Sequence, residues 1–247
     1  MQRETVWPEG YARRDYESLP STQSEALRLA AELSMPTWIF AGTQTEPRGR
    51  RGRVWAQAEG NFGASLVLPG LKDPALMGLR SFVASLALYD AVRTVAGPEA
   101  QLALKWPNDV LLSGGKLAGI LLETAGEALV IGIGVNLAHA PGAGEVEEGA
   151  VPPVALAAET KAQMDPENFL THLAAAFAPW EARLRSYGFG PVREAWLAHA
   201  ARLGQPIRAR AMREEWQGTF ETIDAAGHLV LKTAQGRKSI PAADVFF

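Results

Sequence analysis

The sequence predicts an α+β domain followed by a small all-β unit, and three observations carry that reading. Apolar residues recur at three- and four-residue intervals between Ala75 and Ala96, and again after Asp165, which is the spacing of a helix with a buried face. Between those helices, Ser113-Gly114-Gly115 and Ala125-Gly126-Glu127 separate strand-like runs; turns this tight favour an antiparallel meander over parallel crossovers. Beyond Gln205-Pro206 only short, closely spaced strands remain, as in a small barrel or sandwich.

Composition sets the outer bounds. With 247 residues, 47% apolar and 21% charged, the chain can bury one large core with a smaller one attached. A net charge of −3 argues against a general nucleic-acid binder, which needs surplus cations to neutralise phosphates. The absence of cysteine excludes disulfides, thiolate catalysis and cysteine-ligated metal. Met1 to Glu17 has no apolar run like that of a signal peptide, and no stretch reads as long and uncharged enough to span a bilayer. The expected location is the cytoplasm, without a membrane or nucleic-acid partner.

Taken in order, Thr22-Gln23-Ser24-Glu25 has the form of a capping box, so a first helix is expected from there to about Ser34. Thr37 to Ala41 reads as a strand ending at Gly42, and Ala64 to Leu68 as another closed by Pro69-Gly70. A long helix follows from Ala75 to Ala96. Three strands are then predicted, Leu102 to Leu112, Lys116 to Thr124 and Ala128 to Leu137, with a loop from His139 to Pro153. Asp165-Pro166 starts another helix, with Asp as N-cap and Pro at the first position, and a shorter helix runs from about Pro191 to Leu203. The final strands are Ile207 to Met212, Trp216 to Ile223, Leu229 to Thr233 and Lys238 to Ile240. The domain boundary is set at 1–203 and 204–247.

One segment cannot be an ordinary core element. Arg48-Gly49-Arg50-Arg51-Gly52-Arg53 packs four cations and two glycines into six residues. Guanidinium forks match carboxylate and phosphate oxygens, and glycine permits close backbone approach, so the run reads as an anion clamp or as a solvated loop. Three other strings break the rules of strand design: Lys105-Trp106-Pro107-Asn108-Asp109-Val110, Gly115-Lys116-Leu117-Ala118-Gly119-Ile120-Leu121 and Ile131-Gly132-Ile133-Gly134-Val135-Asn136. Pro107 belongs at an edge or bulge. Gly119, Gly132 and Gly134 leave a sheet surface bare, as close packing or a ligand lying flat would need.

Those four strings, in that order, resemble the biotin protein ligases, and the resemblance runs from about Leu19 to the C-terminus. It implies a class II synthetase-like catalytic domain, with a mainly antiparallel mixed sheet flanked by helices, and a C-terminal SH3-like β-barrel. It also implies a two-step activity, in which biotin and MgATP give biotinyl-5′-adenylate and a carrier-protein lysine then takes the biotin. By resemblance, Lys105, Arg50 and Arg48 are catalytic. Ser21, Thr22, Gln23, Gln44, Arg48, Gly49, Arg50, Lys105, Gly119 and Gly132 bind biotin. Arg50, Arg53, Trp55, Lys105 and Asn136 bind ATP, with Mg²⁺ required and its ligands unassigned. The acceptor would be a biotin carboxyl carrier protein, and a homodimer fits the family.

Several readings stand beside these. Ser21 and Thr22 also suit helix capping, Trp106 suits core packing, and Asn108 and Asp109 suit either turn shaping or substrate contact. The chain departs from the family at Glu46-Pro47, where a small residue and glycine are usual, and at Gln23, where asparagine is usual. Only about 20 residues precede Ser21, too few for a winged helix-turn-helix, so repressor activity is not expected. Lipoate or octanoate transfer on the same fold is the alternative enzyme. An RNA-binding module is the alternative from another class, but it would show stacking aromatics and a basic charge.

Overall fold

The computed structural model describes residues 5–49, 52, 55, 58–142, 151–211 and 214–247. Arg50 and Arg53, together with much of the predicted loop after His139, lie outside the described residues. The chain builds β1 (Ala12–Leu19), α1 (Thr22–Leu29), β2 (Thr37–Gln44), β3 (Phe62–Leu68), α2 (Pro74–Gly78), α3 (Arg80–Ala96), β4 (Leu102–Lys105), β5 (Asp109–Leu112), β6 (Gly115–Ala125) and β7 (Ala128–Val135). It continues through α4 (Leu156–Thr160), α5 (Pro166–Tyr187), α6 (Phe189–Ala198), β8 (Pro206–Arg210), β9 (Glu215–Ile223), β10 (Leu229–Thr233), β11 (Gly236–Ile240) and β12 (Asp244–Phe246).

Seven strands form a mixed sheet in the order β1-β2-β3-β7-β6-β5-β4. Within this sheet only β1 and β2 run parallel, as Pro20 to Pro36 provides a helical crossover; hairpins join β4 to β5, β5 to β6 and β6 to β7 and force antiparallel pairing there. One face is covered by α3, α5 and α6, with Phe169, Phe177 and Trp196 buried there. Each such side chain, fully buried, contributes about 1.5–3 kcal/mol. α1 covers only part of the other face, through Ala26, Leu29 and Ala30 on Ile39, Val67 and Val130. The five C-terminal strands form a second sheet, β11-β10-β9-β8-β12.

Several sequence expectations are corrected. The cap of α1 is Ser21, whose hydroxyl accepts from the Ser24 amide, rather than Thr22, and the helix stops at Leu29 instead of Ser34. The single strand Leu102 to Leu112 is two strands, because Trp106-Pro107-Asn108 turns the chain into a hairpin with a cis Trp106–Pro107 bond. Pro107 therefore occupies a turn, not an edge or a bulge. α3 is buried almost all round, from Arg80 to Val92, not on one face alone. The stretch Pro74–Ala96 does have the length and hydropathy to cross a membrane, against expectation, yet 72% of its most apolar window is buried inside the protein, so it is the core helix. Elements the sequence did not announce are β1, α4 and β12.

The second sheet docks on the first unit through the turn between β9 and β10. Gly227 has φ +83°, and a β-carbon there would stand 2.9 Å from Phe82 Cε2. Its carbonyl accepts a hydrogen bond from the Trp106 indole at 3.1 Å. Trp106 is thus a core residue, 4% exposed.

Candidate active site

Strand pairing places the chemistry in one row across the sheet. Lys105 pairs with Asp109, Asp109 with Gly119, Gly119 with Gly134 and Gly134 with Gly63. Directly paired residues project from the same face, so a lysine and a carboxylate flank a bare three-glycine bed. Gly132, two residues before Gly134, belongs to this face and pairs with Ser65. α1 points its first turn over this end of the bed.

At that end the polar side chains are interlocked. The Gln44 carbonyl oxygen accepts from the Thr22 amide at 2.6 Å, and the Thr22 and Ser65 hydroxyls lie 3.1 Å apart. Ser65 donates to Gln23 Oε1 at 3.0 Å, which orients the amide so that Nε2 donates to Glu123 Oε2, also at 3.0 Å. Gln23 lies directly on Gly132, where a β-carbon would meet its Oε1 at 2.5 Å. Ser21, Thr22 and Gln23 are all buried. A small ligand that entered here would meet a set of fixed donors and acceptors, as recognition of a polar, uncharged group requires.

Trp55 forms a roof over the bed. A β-carbon on Gly134 would come within 2.5 Å of its Cε2, and one on Gly119 within 3.1 Å of its Cζ3. Among the described residues neither the buried indole Nε1 nor the buried Asn136 Oδ1 has a hydrogen-bond partner, although Asn136 Nδ2 donates to the Val154 carbonyl. Two orphaned polar atoms in one region mark it as built for a partner.

At the far end Asp109, only 8% exposed, sits between two ammonium groups. Lys105 Nζ donates to Oδ2 at 3.4 Å, and Lys116 Nζ lies 2.8 Å from Oδ1 as an ionic contact. Burial pushes the Asp109 carboxyl up, but the two lysines outweigh it, and the group is held below its ordinary value. A β-bulge brings Lys116 here. Val110 pairs with Ala118 and Leu111 with Lys116, which leaves Leu117 as the extra residue and turns Lys116 onto the glycine face. Its Nζ stands 3.6 Å from a β-carbon built on Gly119 and 5.8 Å from the Trp55 ring centroid. Lys105 is more enclosed, 11% exposed against 32% for Lys116.

The structure gathers most of the sequence-predicted residues around this bed: Ser21, Thr22, Gln23, Gln44, Arg48, Trp55, Lys105, Gly119, Gly132 and Asn136. Arg50 and Arg53 are outside the described residues, and for Gly49 the structure gives no contact that fixes a role. Arg48 donates to both oxygens of Glu123, at 2.7 and 2.6 Å. Asn108 shapes the hairpin, its Nδ2 donating to the Ile120 carbonyl. Sequence alone assigns none of Lys116, Ser65 and Glu123 to the site, and leaves Asp109 between turn shaping and substrate contact. The bulge and the register bring them in, and neither is visible in a string of residues.

Comparison with known proteins agrees with this architecture. Residues 16–137 match the biotin/lipoate A/B protein ligase family, and residues 203–247 match the biotin protein ligase C-terminal domain. The chain is 55% identical over 232 residues to a biotin–[acetyl-CoA-carboxylase] ligase of Paracoccus denitrificans, covering 92% of this chain and 97% of that protein. It is 34% identical to the bifunctional ligase/repressor BirA of Bacillus subtilis, covering 93% of this chain and 72% of that protein. In fold it is similar to the biotin protein ligase of Aquifex aeolicus solved with biotin and ATP, with a TM-score of 0.79 at 22% identity over 95% of this chain and 97% of the other. The family matches at both ends, and the identity carried across nearly the whole chain, show that this protein belongs to the biotin protein ligases.

Proposed function

We propose that the chain activates biotin with ATP and transfers it to a lysine of a biotin carboxyl carrier protein. The observation that carries this reading is the glycine bed, roofed by Trp55, with fixed uncharged polar groups at one end and two lysines at the other. The polar end suits the ureido ring of biotin, and the bare bed leaves room for a flat extended ligand. The cationic end suits the place where carboxylate and triphosphate must meet.

The first step joins two anions. A biotin carboxylate oxygen attacks the α-phosphorus, the bond from that phosphorus to the bridging oxygen breaks, and pyrophosphate leaves. Lys116 and Lys105 offset the repulsion and the charge that builds on the α-phosphate, an effect that depends on cations held in place beforehand. Asp109 is the group that holds them. Lys116 is the more exposed of the two and stands beside the bed, so it is proposed to touch the reacting oxygens, with Lys105 behind it. Arg48, Arg50 and Arg53 form the anion clamp in this reading, and Trp55 and Asn136 serve the nucleotide. In the second step the carrier amine attacks the carbonyl carbon of the mixed anhydride and AMP leaves.

Mg²⁺ would arrive with the nucleotide. Among the described residues no three His, Asp or Glu side chains converge on one point. The deciding assay incubates the protein with biotin, ATP, Mg²⁺ and a carrier domain, then probes the carrier with streptavidin. Biotin label on the carrier is expected. Absence of label together with transfer of lipoate would overturn the reading.

A further inference from the structure

Lys116 reaches the glycine face because β6 bulges at Leu117, and the backbone of that bulge is held from outside the hairpin. β7 ends at Val135, opposite Ala118. Beyond it the Asn136 amide donates to the Leu117 carbonyl at 2.9 Å, and the segment Pro152-Pro153-Val154 takes over the pairing. Lys116 donates its amide to the Pro152 carbonyl at 2.8 Å, and its own carbonyl accepts from the Val154 amide at 3.0 Å. This strap is tied in turn to Asn136, whose Nδ2 donates to the Val154 carbonyl at 3.1 Å and whose carbonyl accepts from the Leu156 amide at 2.8 Å.

Gly115 decides whether the strap can lie there. A β-carbon on it would stand 2.2 Å from Val154 Cγ1 and 3.0 Å from the Pro152 carbonyl oxygen. Its backbone is outside the left-handed region, so glycine is needed here for space and not for conformation. We propose that Gly115 is a positioning residue for adenylation: its bare α-carbon seats the strap, the strap fixes the bulge, and the bulge aims Lys116 at the reacting oxygens. This rests on the biotin-ligase reading above, in which Lys116 meets those oxygens. A bulge interrupts the regular ladder, so without the two strap bonds Lys116 is free to slip toward the ordinary register, in which it faces the other side of the sheet. Misplacing a reacting group by about 1 Å costs about a hundredfold in rate.

The test measures pyrophosphate release from ATP and biotin by variants of the full chain. Gly115→Ala should lower kcat about tenfold. Adding Val154→Ala removes both methyl groups that the new β-carbon meets, and should return the rate to within about threefold of the unmodified chain. Placed in the Lys116→Ala background, Gly115→Ala should change the residual rate by less than about twofold, because the lysine through which it acts is gone. A general loss of folded protein would instead lower both backgrounds alike. If Gly115→Ala does not fold, an ester in place of the Val154 amide, which deletes only the bond to the Lys116 carbonyl, should lower kcat about fivefold and leave the Lys116→Ala rate where it was. Full activity of Gly115→Ala or of the ester, no recovery in the double variant, or an equal loss in the Lys116→Ala background would overturn the inference and leave the functional reading standing. An unmodified chain that releases no pyrophosphate from ATP and biotin would overturn both.

Discussion

Trp55 lies so close over Gly134 that a β-carbon on the glycine would stand 2.5 Å from the indole. Real side chains do not approach that closely, so the indole position depends on the missing side chain. Gly134→Ala should push Trp55 off the bed, at a cost of about 1–3 kcal/mol typical of overpacking, and raise the ATP KM about tenfold. Pyrophosphate release across an ATP titration measures this. An unchanged KM would show that Trp55 does not serve the nucleotide.

The two lysines should separate in a comparison of Lys116→Ala with Lys105→Ala. Lys116 is the more exposed and stands nearest the bed, so its loss should lower adenylation by about a hundredfold, as removal of one fixed charge-stabilising donor does, with little change in melting temperature. Lys105 is largely enclosed. Its loss should cut adenylation as well, but also destabilise the fold by about 1–2 kcal/mol, because Asp109 loses part of its compensation. Equal and full adenylation by either variant would remove that lysine from the mechanism.

Asp109→Asn should destabilise the protein by about 2 kcal/mol at neutral pH, below the cost of breaking a fully buried pair because Lys116 is partly solvated. The pH dependence has a definite sign. The folded carboxyl is held below its ordinary value, so its contribution is complete above the unfolded pKa of about 3.9 and is lost as the pH falls through the folded value. Denaturant titrations should therefore show the gap between native and variant narrowing below about pH 4. A gap constant down to pH 2 would contradict the assignment.

Arg80 and Glu181 form a buried pair at 2.7 Å, between α3 and α5, with side chains 5% and 7% exposed. Burial pushes the Glu181 carboxyl up despite Arg80, so this pair is costly to maintain. Arg80→Met alone should destabilise by about 3–5 kcal/mol, whereas Arg80→Met with Glu181→Leu should recover most of that loss. Thermal unfolding of the two variants checks it, and additivity of the two changes would refute the coupling.

Sequence alone revealed the long-range chemistry better than the local geometry. Asp165 and Pro166 announced α5, and the cap bonds Asn168 as expected. The glycines of β6 and β7 announced a bare surface. By contrast, β1 reads Ala-Arg-Arg-Asp-Tyr-Glu-Ser-Leu, a charged edge strand whose pairing with β2 supplies the order that its composition does not. The hairpin at Trp106 to Asn108 reads as part of one strand because apolar residues flank it on both sides, Leu102 to Leu104 and Val110 to Leu112, although Pro107-Asn108-Asp109 is itself turn chemistry. Lys116 was missed because one extra residue, Leu117, reverses the face it occupies, and that reversal exists only in the pairing with β5.

The contact of Gly227 with Phe82 and Trp106 makes the C-terminal sheet more than an appendage. Trp106 is the first residue of the turn that joins Lys105 to Asp109, and its indole proton is received by the Gly227 carbonyl. A chain cut after Leu203 would leave that buried donor without an acceptor and uncover Phe82. The hairpin bearing two of the three charges at the cationic end would then rest on a loosened hinge. The far sheet is in effect the back wall of the lysine pair, and its last residue reaches that pair directly, with Lys105 Nζ 5.9 Å from the centroid of the Phe247 ring.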